Sequence, residues 1–212
     1  MSKLKLSFLL VIMSAISIPA VAGEAVVKRV PAGAVAFHFA ADLSYVTGEL
    51  VGYIAFIEGV DSPLFAGDPS KDTAYFTLRI TAPTPPPISL PIETGSEISV
   101  NLLKSAGAQF TVFFNSEPGP RDWSIPRTFS EGVPIAVFEE SALLSTFSSG
   151  ASMNVFSSRL IDSTPIDFYG QRIDFKKLVP NGVTTTNFTN PRFLGASFGA
   201  TAIAIGGELR DK

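Results

Sequence analysis

AVAFHFAAD, residues Ala34–Asp42, alternates with a period of two, so that Val35, Phe37 and Phe39 share one face and Ala36, His38 and Ala40 the other. Successive side chains on a β-strand point to opposite faces, so this stretch predicts a strand with one heavily buried face. The stretches around it repeat the theme. ELVGYIAFIE (Glu49–Glu58) is apolar on both faces, as in a strand covered on two sides, and Gly52 marks a bulge or a close backbone approach. TAYFTLRIT (Thr73–Thr81) alternates again, with Phe76, Leu78 and Ile80 inward and Tyr75, Thr77 and Arg79 outward.

Further strands are predicted over Glu97–Leu103, Gln109–Phe114, Val133–Phe138, Ala151–Ile161, Val183–Phe188 and Ala196–Ile205. Glu139–Phe147 leaves helix and strand in competition, because Leu143 and Leu144 fit neither period. Ile166–Phe175 nearly mirrors itself about Tyr169-Gly170, which predicts a tight hairpin with Gly170 at positive φ. Pro180-Asn181-Gly182 is a turn signal of the same kind. Pro83–Pro91 cannot lie in a central strand, since proline donates nothing to a ladder, and is expected as extended surface chain or sheet edge and as the best seam in the chain. The count is roughly nine to eleven short strands, with no sustained helical period and no repeat. The fold class is all-β, a mainly antiparallel β-sandwich or closed β-barrel without helices.

Residues 1–22 have the form of a secretory signal peptide: Lys3 and Lys5, an apolar run over Leu6–Ile18, and Ala20-Val21-Ala22 before the cut. The expected mature chain, residues 23–212, is a single domain located in the periplasm or outside the cell, with no stable membrane span. It carries 14 basic and 19 acidic residues, a formal charge of −5. An acidic chain without a basic cluster has no electrostatic footprint for nucleic acid. The absence of cysteine excludes disulfides, thiolate metal sites and cysteine nucleophiles. An outer-membrane barrel is disfavoured, because the chain has few Tyr and Trp for aromatic girdles and several runs apolar on both faces.

Chemistry-bearing motifs are sparse. Gly195-Ala196-Ser197-Phe198-Gly199 matches the G-x-S-x-G elbow, but no histidine follows it and the context is a strand. His38 and Asp42, four apart on a strand, would lie about 13 Å apart and form no base pair. Asp61, Asp68 and Asp72 share a loop whose spacing fits no calcium pattern, so solvated turn aspartates are expected and no metal or other cofactor. Glu117, Asp122, Glu131, Glu139 and Glu140 supply carboxylates for glycoside chemistry only if two of them face each other across an aromatic cleft. Asn187-Phe188-Thr189 is a glycosylation sequon.

NSEPGPRDWSIPRTFSEG, Asn115–Gly132, is a long loop holding the only tryptophan. Trp123 with Arg121, Asp122 and Arg127 is the candidate contact surface, since buried Trp and Arg anchors concentrate interface energy. The alternative is that Trp123 plugs the end of the fold. The functional expectation is an exported, non-enzymatic protein acting by binding or as an extracellular structural component, with a protein, a glycan or a small apolar ligand as partner. The competing expectations are a small barrel that holds an apolar molecule among its phenylalanines, and a barrel isomerase or cyclase with Glu, Arg or His38 facing a cavity.

Overall fold

The computed structural model describes residues 25–43, 47, 49–81, 88–93, 96–101, 108–148, 151–189 and 198–206. Among the described residues thirteen strands run in chain order: β1 Ala25–Val26, β2 Val35–Leu43, β3 Leu50–Ile57, β4 Phe76–Ile80, β5 Ile88–Glu93, β6 Ser96–Asn101, β7 Gln109–Phe114, β8 Val133–Ser148, β9 Ala151–Ser163, β10 Ile166–Phe168, β11 Gln171–Ile173, β12 Val183–Thr189 and β13 Phe198–Ala204. The expected all-β class holds, and of its two forms the chain adopts the barrel. Eight strands close in the order β2, β3, β4, β7, β8, β9, β12 and β13, with every neighbouring pair antiparallel. Closure removes the sheet edges that an open meander would expose.

Two insertions decorate the barrel. The β5–β6 hairpin pairs with the distal half of β8, so the described end of the proline-rich segment, from Ile88, is continuous with the main sheet. β5 is the sheet edge, as Pro91 requires; residues 82–87 lie outside the described residues. The second insertion, between β9 and β12, is the β10–β11 hairpin with β1 added in parallel, followed by a short helix α1, Phe175–Leu178. Tyr169 and Gly170 both take positive φ, 49° and 78°, the backbone of a primed hairpin turn.

The expectation of a helix-free chain needs correction at two places. A 3-10 turn spans Pro126–Phe129, and α1 begins at Asp174, whose carboxylate accepts the Lys176 N–H at 2.9 Å as an N-cap. Glu139–Phe147 resolves as strand. A bulge between Glu140 and Ala142 inserts one residue into β8, which shifts the inward phase from Phe138 and Glu140 to Leu143. That slip is why Leu143 and Leu144 match neither period.

β3 is covered on both sides. Ile54 and Ile57 face the interior, while Val51 and Tyr53 lie beneath the loops 61–74 and 115–132. A Cβ on Gly52 would stand 2.2 Å from the Ala40 carbonyl oxygen and 2.7 Å from Ala41 Cβ, so β2 and β3 meet there only over a glycine. In β4 the predicted alternation holds, but outward Thr77 is also fully buried, its hydroxyl donating to the Phe129 carbonyl at 2.7 Å.

Candidate functional site

A cluster of buried apolar side chains fills much of the barrel interior. Phe37, Phe110 and Phe138 meet at centroid distances of 5.2–6.4 Å, and Phe175 from α1 reaches between Phe37 and Phe138 at 6.1 Å from each. Val27, Val30, Phe168, Ile173 and Leu178 complete a plug at that end, which we call the lower end. Packing of this kind leaves no room for a ligand there.

Toward the upper end, where β2 finishes and β3 begins, the lining changes character. On β12 the inward residues run Val183, Thr185, Asn187; on β9 they run Ser158, Phe156, Asn154; on β8 Phe138 is followed by Glu140. Register places Glu140 opposite Ser158, Phe156 opposite Thr185, and Asn154 opposite Asn187. One wall therefore carries five polar side chains among phenylalanines. On β13 the inward residues Ala200 and Ala202 are small, and the β2 residues paired with them are Phe39 and Phe37, with Ala41 beyond.

Exposure rises along this wall. Thr185 is 0% exposed and Ser158 1%, whereas Asn187 reaches 5%, Phe156 6% and Ala200 7%, and Glu140, Asn154, Leu50 and Ile80 are half-buried. The first five of these residues are all buried, and Ala41, also at the upper end, is 0% exposed. Asn154 Nδ2 donates to Asn187 Oδ1 at 2.7 Å. The hydroxyls of Ser158 and Thr185 are buried without any hydrogen-bond partner. Buried polar groups are nearly always paired, so two neighbouring exceptions on one face call for a physical account.

Sequence reasoning missed this wall. VTTTNFT (Val183–Thr189) has Val183 on one face and Phe188 on the other, so alternation alone does not say which is inside. The structure turns Thr185 and Asn187 inward and leaves Phe188 57% exposed. Asn187 was legible only as a sequon, and its inward, buried amide is inaccessible to a glycosylating enzyme in the folded chain.

The predicted contact surface folds back over β3 and β4. Arg121 is 4% exposed; its guanidinium donates to the Ala74 carbonyl at 3.0 Å and to that of Lys71, and its backbone N–H donates to Asp72 Oδ1 at 2.6 Å. Burial pulls the guanidinium below its ordinary pKa, opposed by Asp72 and Glu131. Trp123 is half-buried, stacked on buried Phe129 at 4.8 Å and 6.4 Å from Tyr53. Asp122 is exposed and accepts from the Ser124 N–H and hydroxyl, which hold its pKa below the usual value. Arg121, Asp122 and Trp123 line one shallow depression of about 440 Å³ with Lys71, Pro120 and Thr128, and exposed Arg127 stands outside it.

The remaining candidates stay apart. His38 is exposed, with Nδ1 3.0 Å from the Thr201 hydroxyl and its ring 5.5 Å from Phe56. Glu139 points outward to Arg159 at 2.6 Å, so Glu139 and Glu140 occupy opposite sides of the wall. Asp72 is bonded to Lys71 and Arg121, and no group of three potential ligands suited to a metal occurs among the described residues. Ser197 lies outside the described residues. No helix among the described residues is long and apolar enough to cross a membrane. Comparison with protein-family models, with curated proteins and with solved structures returns no match.

Proposed function

We propose that the mature chain, residues 23–212, is an exported non-enzymatic binding protein whose barrel receives one small, mainly apolar molecule at its upper end. The observation that carries this reading is the group of inward polar side chains on the β9–β12 wall, Ser158, Thr185, Asn154 and Asn187, set among the phenylalanines of the interior. Small-molecule sites combine apolar lining with a few placed polar groups, and barrel ends are a preferred location. Phe156, Ala200, Leu50 and Ile80 supply the lining, and Asn154 and Asn187 the polar groups.

Titration of the mature protein with the neutral fluorophore N-phenyl-1-naphthylamine tests the proposal. We expect saturable binding of one molecule, lost in Ala200→Trp, whose ring would take up the interior space beside Phe39. Equal binding by a folded Ala200→Trp protein, or no binding by the wild type, overturns it. Export is tested by sequencing the N-terminus of the secreted chain, which should begin at Gly23.

A second reading rests on the outer loop. Half-buried Trp123 lines the depression beside Lys71, and Ile125, 40% exposed, follows two residues later in the same loop, an arrangement suited to a protein or glycan contact. Capture of a partner that is lost in Trp123→Ala while fluorophore binding persists would support this surface as an independent site.

A further inference from the structure

We infer that the molecule received by the barrel is uncharged and carries a hydroxyl or carbonyl group, which descends past Phe156 to hydrogen-bond Thr185, with Ser158 beside it. The inference rests on the reading of the upper end as a binding site and adds the chemistry of its occupant.

Thr185 and Ser158 are both at most 1% exposed, and neither hydroxyl has a partner. They are diagonal neighbours on one face, since Ser158 pairs with Val183 and Thr185 with Phe156. Diagonal positions across an antiparallel ladder lie about 7–8 Å apart, close enough for one small polar group to lie between them. A buried hydroxyl without a partner is destabilising. A ligand group that accepts from or donates to them removes the penalty, so the pair forms a preorganised polar floor beneath an apolar entrance.

The entrance is Phe156, directly opposite Thr185 and still touched by solvent. Its ring is the cover that a ligand displaces. Charge is disfavoured at this depth. The inward-facing polar residues described on this wall are Ser158, Thr185, Asn154, Asn187 and Glu140, with no cation among them, so a carboxylate would be buried unpaired beside another carboxylate. A cation would have to give up its hydration at this depth, with Glu140 across the ladder from Ser158 as its counter-charge, and the amine probe below tests that case. A neutral hydroxyl or carbonyl needs only the bonds that Thr185 and Ser158 offer.

The test uses the folded mature protein and four probes with one ring system: naphthalene, 1-naphthol, 1-naphthoate and 1-naphthylmethylamine. We expect 1-naphthol to bind best, with naphthalene weaker by about fivefold, the contribution of one neutral hydrogen bond. Thr185→Val should abolish the preference for naphthol over naphthalene. The inference is overturned if naphthoate or the amine binds as tightly as naphthol, or if Thr185→Val leaves the naphthol preference intact. If N-phenyl-1-naphthylamine binds at the upper end but naphthol shows no advantage over naphthalene, only the polar floor is wrong. If no neutral probe binds, the reading of the upper end falls with it.

Discussion

Thr185 lies directly across the β9–β12 ladder from Phe156, fully buried, and its hydroxyl has no hydrogen-bond partner. A threonine in an apolar barrel interior forfeits its bonds to water on folding, and nothing in the protein replaces them.

Replacing that hydroxyl by a methyl group should therefore stabilise the unliganded protein. Thr185→Val is expected to gain about 1 kcal/mol, which raises the melting temperature by roughly 2–4 °C in a chain of this size. Thermal unfolding followed by circular dichroism checks it. A lower melting temperature would mean that the hydroxyl has a stabilising partner after all. Combined with the expected loss of the naphthol preference, a gain would mark Thr185 as a residue whose polarity serves binding at the expense of stability.

The loop over β3 and β4 depends on Arg121. Its guanidinium serves the carbonyls of Lys71 and Ala74, both in the neighbouring loop. Arg121→Met keeps the length but leaves buried carbonyls unpaired, and should cost about 2–3 kcal/mol in urea unfolding. Trp123 fluorescence should shift to the red as the loop loosens. An unchanged unfolding midpoint would show that the guanidinium contributes nothing net.

Trp123→Ala distinguishes a contact residue from a structural one. The ring stacks on Phe129 but is only half-buried, so a loss of about 1–2 kcal/mol is expected, less than a fully buried aromatic would cost. A loss of about 4 kcal/mol or more would assign Trp123 to the core and count against a surface role.

Acid should loosen the same loop through Asp72. The hydrogen bond from the Lys71 ammonium holds the Asp72 carboxyl below its ordinary value of 3.8; burial, the next-largest effect, opposes it, and the Arg121 N–H and both positive charges add to the lowering. A carboxylate depressed in the folded state contributes stability that is present above the unfolded pKa and lost as pH falls through the folded one. The urea midpoint should thus fall below about pH 4 in the wild type, and fall less in Asp72→Asn. Parallel acid limbs in the two proteins would remove Asp72 from the account.

Gly182 and Gly170 separate two reasons for glycine. Both have positive φ, 92° and 78°, but a Cβ on Gly182 would stand 1.9 Å from the Ser158 carbonyl oxygen while Gly170 faces open space. Gly170→Ala should cost about 1 kcal/mol, the left-handed backbone alone. Gly182→Ala should cost about 3 kcal/mol or more, because β9 must also move. Equal costs would show that the close approach to β9 is readily relieved.

Most of the strand set was legible because its signal is local. Phe37 and Phe39 against His38 on β2, and Phe76 and Leu78 against Arg79 on β4, declare their faces within a few residues. The same holds for the Tyr169-Gly170 hairpin, whose turn backbone is a property of two adjacent residues. The candidate site was far less legible. Arg121 and Trp123 stood out by residue type, yet their type does not say whether a guanidinium meets a partner or the Lys71 and Ala74 carbonyls of its own chain.

The amino-acid sequence by itself determined that this chain forms short antiparallel strands, with phenylalanines committed to an interior and prolines and glycines placing the breaks. Those outcomes follow from backbone sterics and a two-residue period, which need no information from distant residues. Only the tertiary structure decided that the strands close into a barrel, that the bulge beyond Glu140 turns Leu143 inward, and that β12 faces the interior with Thr185 and Asn187 rather than Phe188. Each depends on register between segments far apart in the chain, and a shift of one residue would have exchanged the two faces.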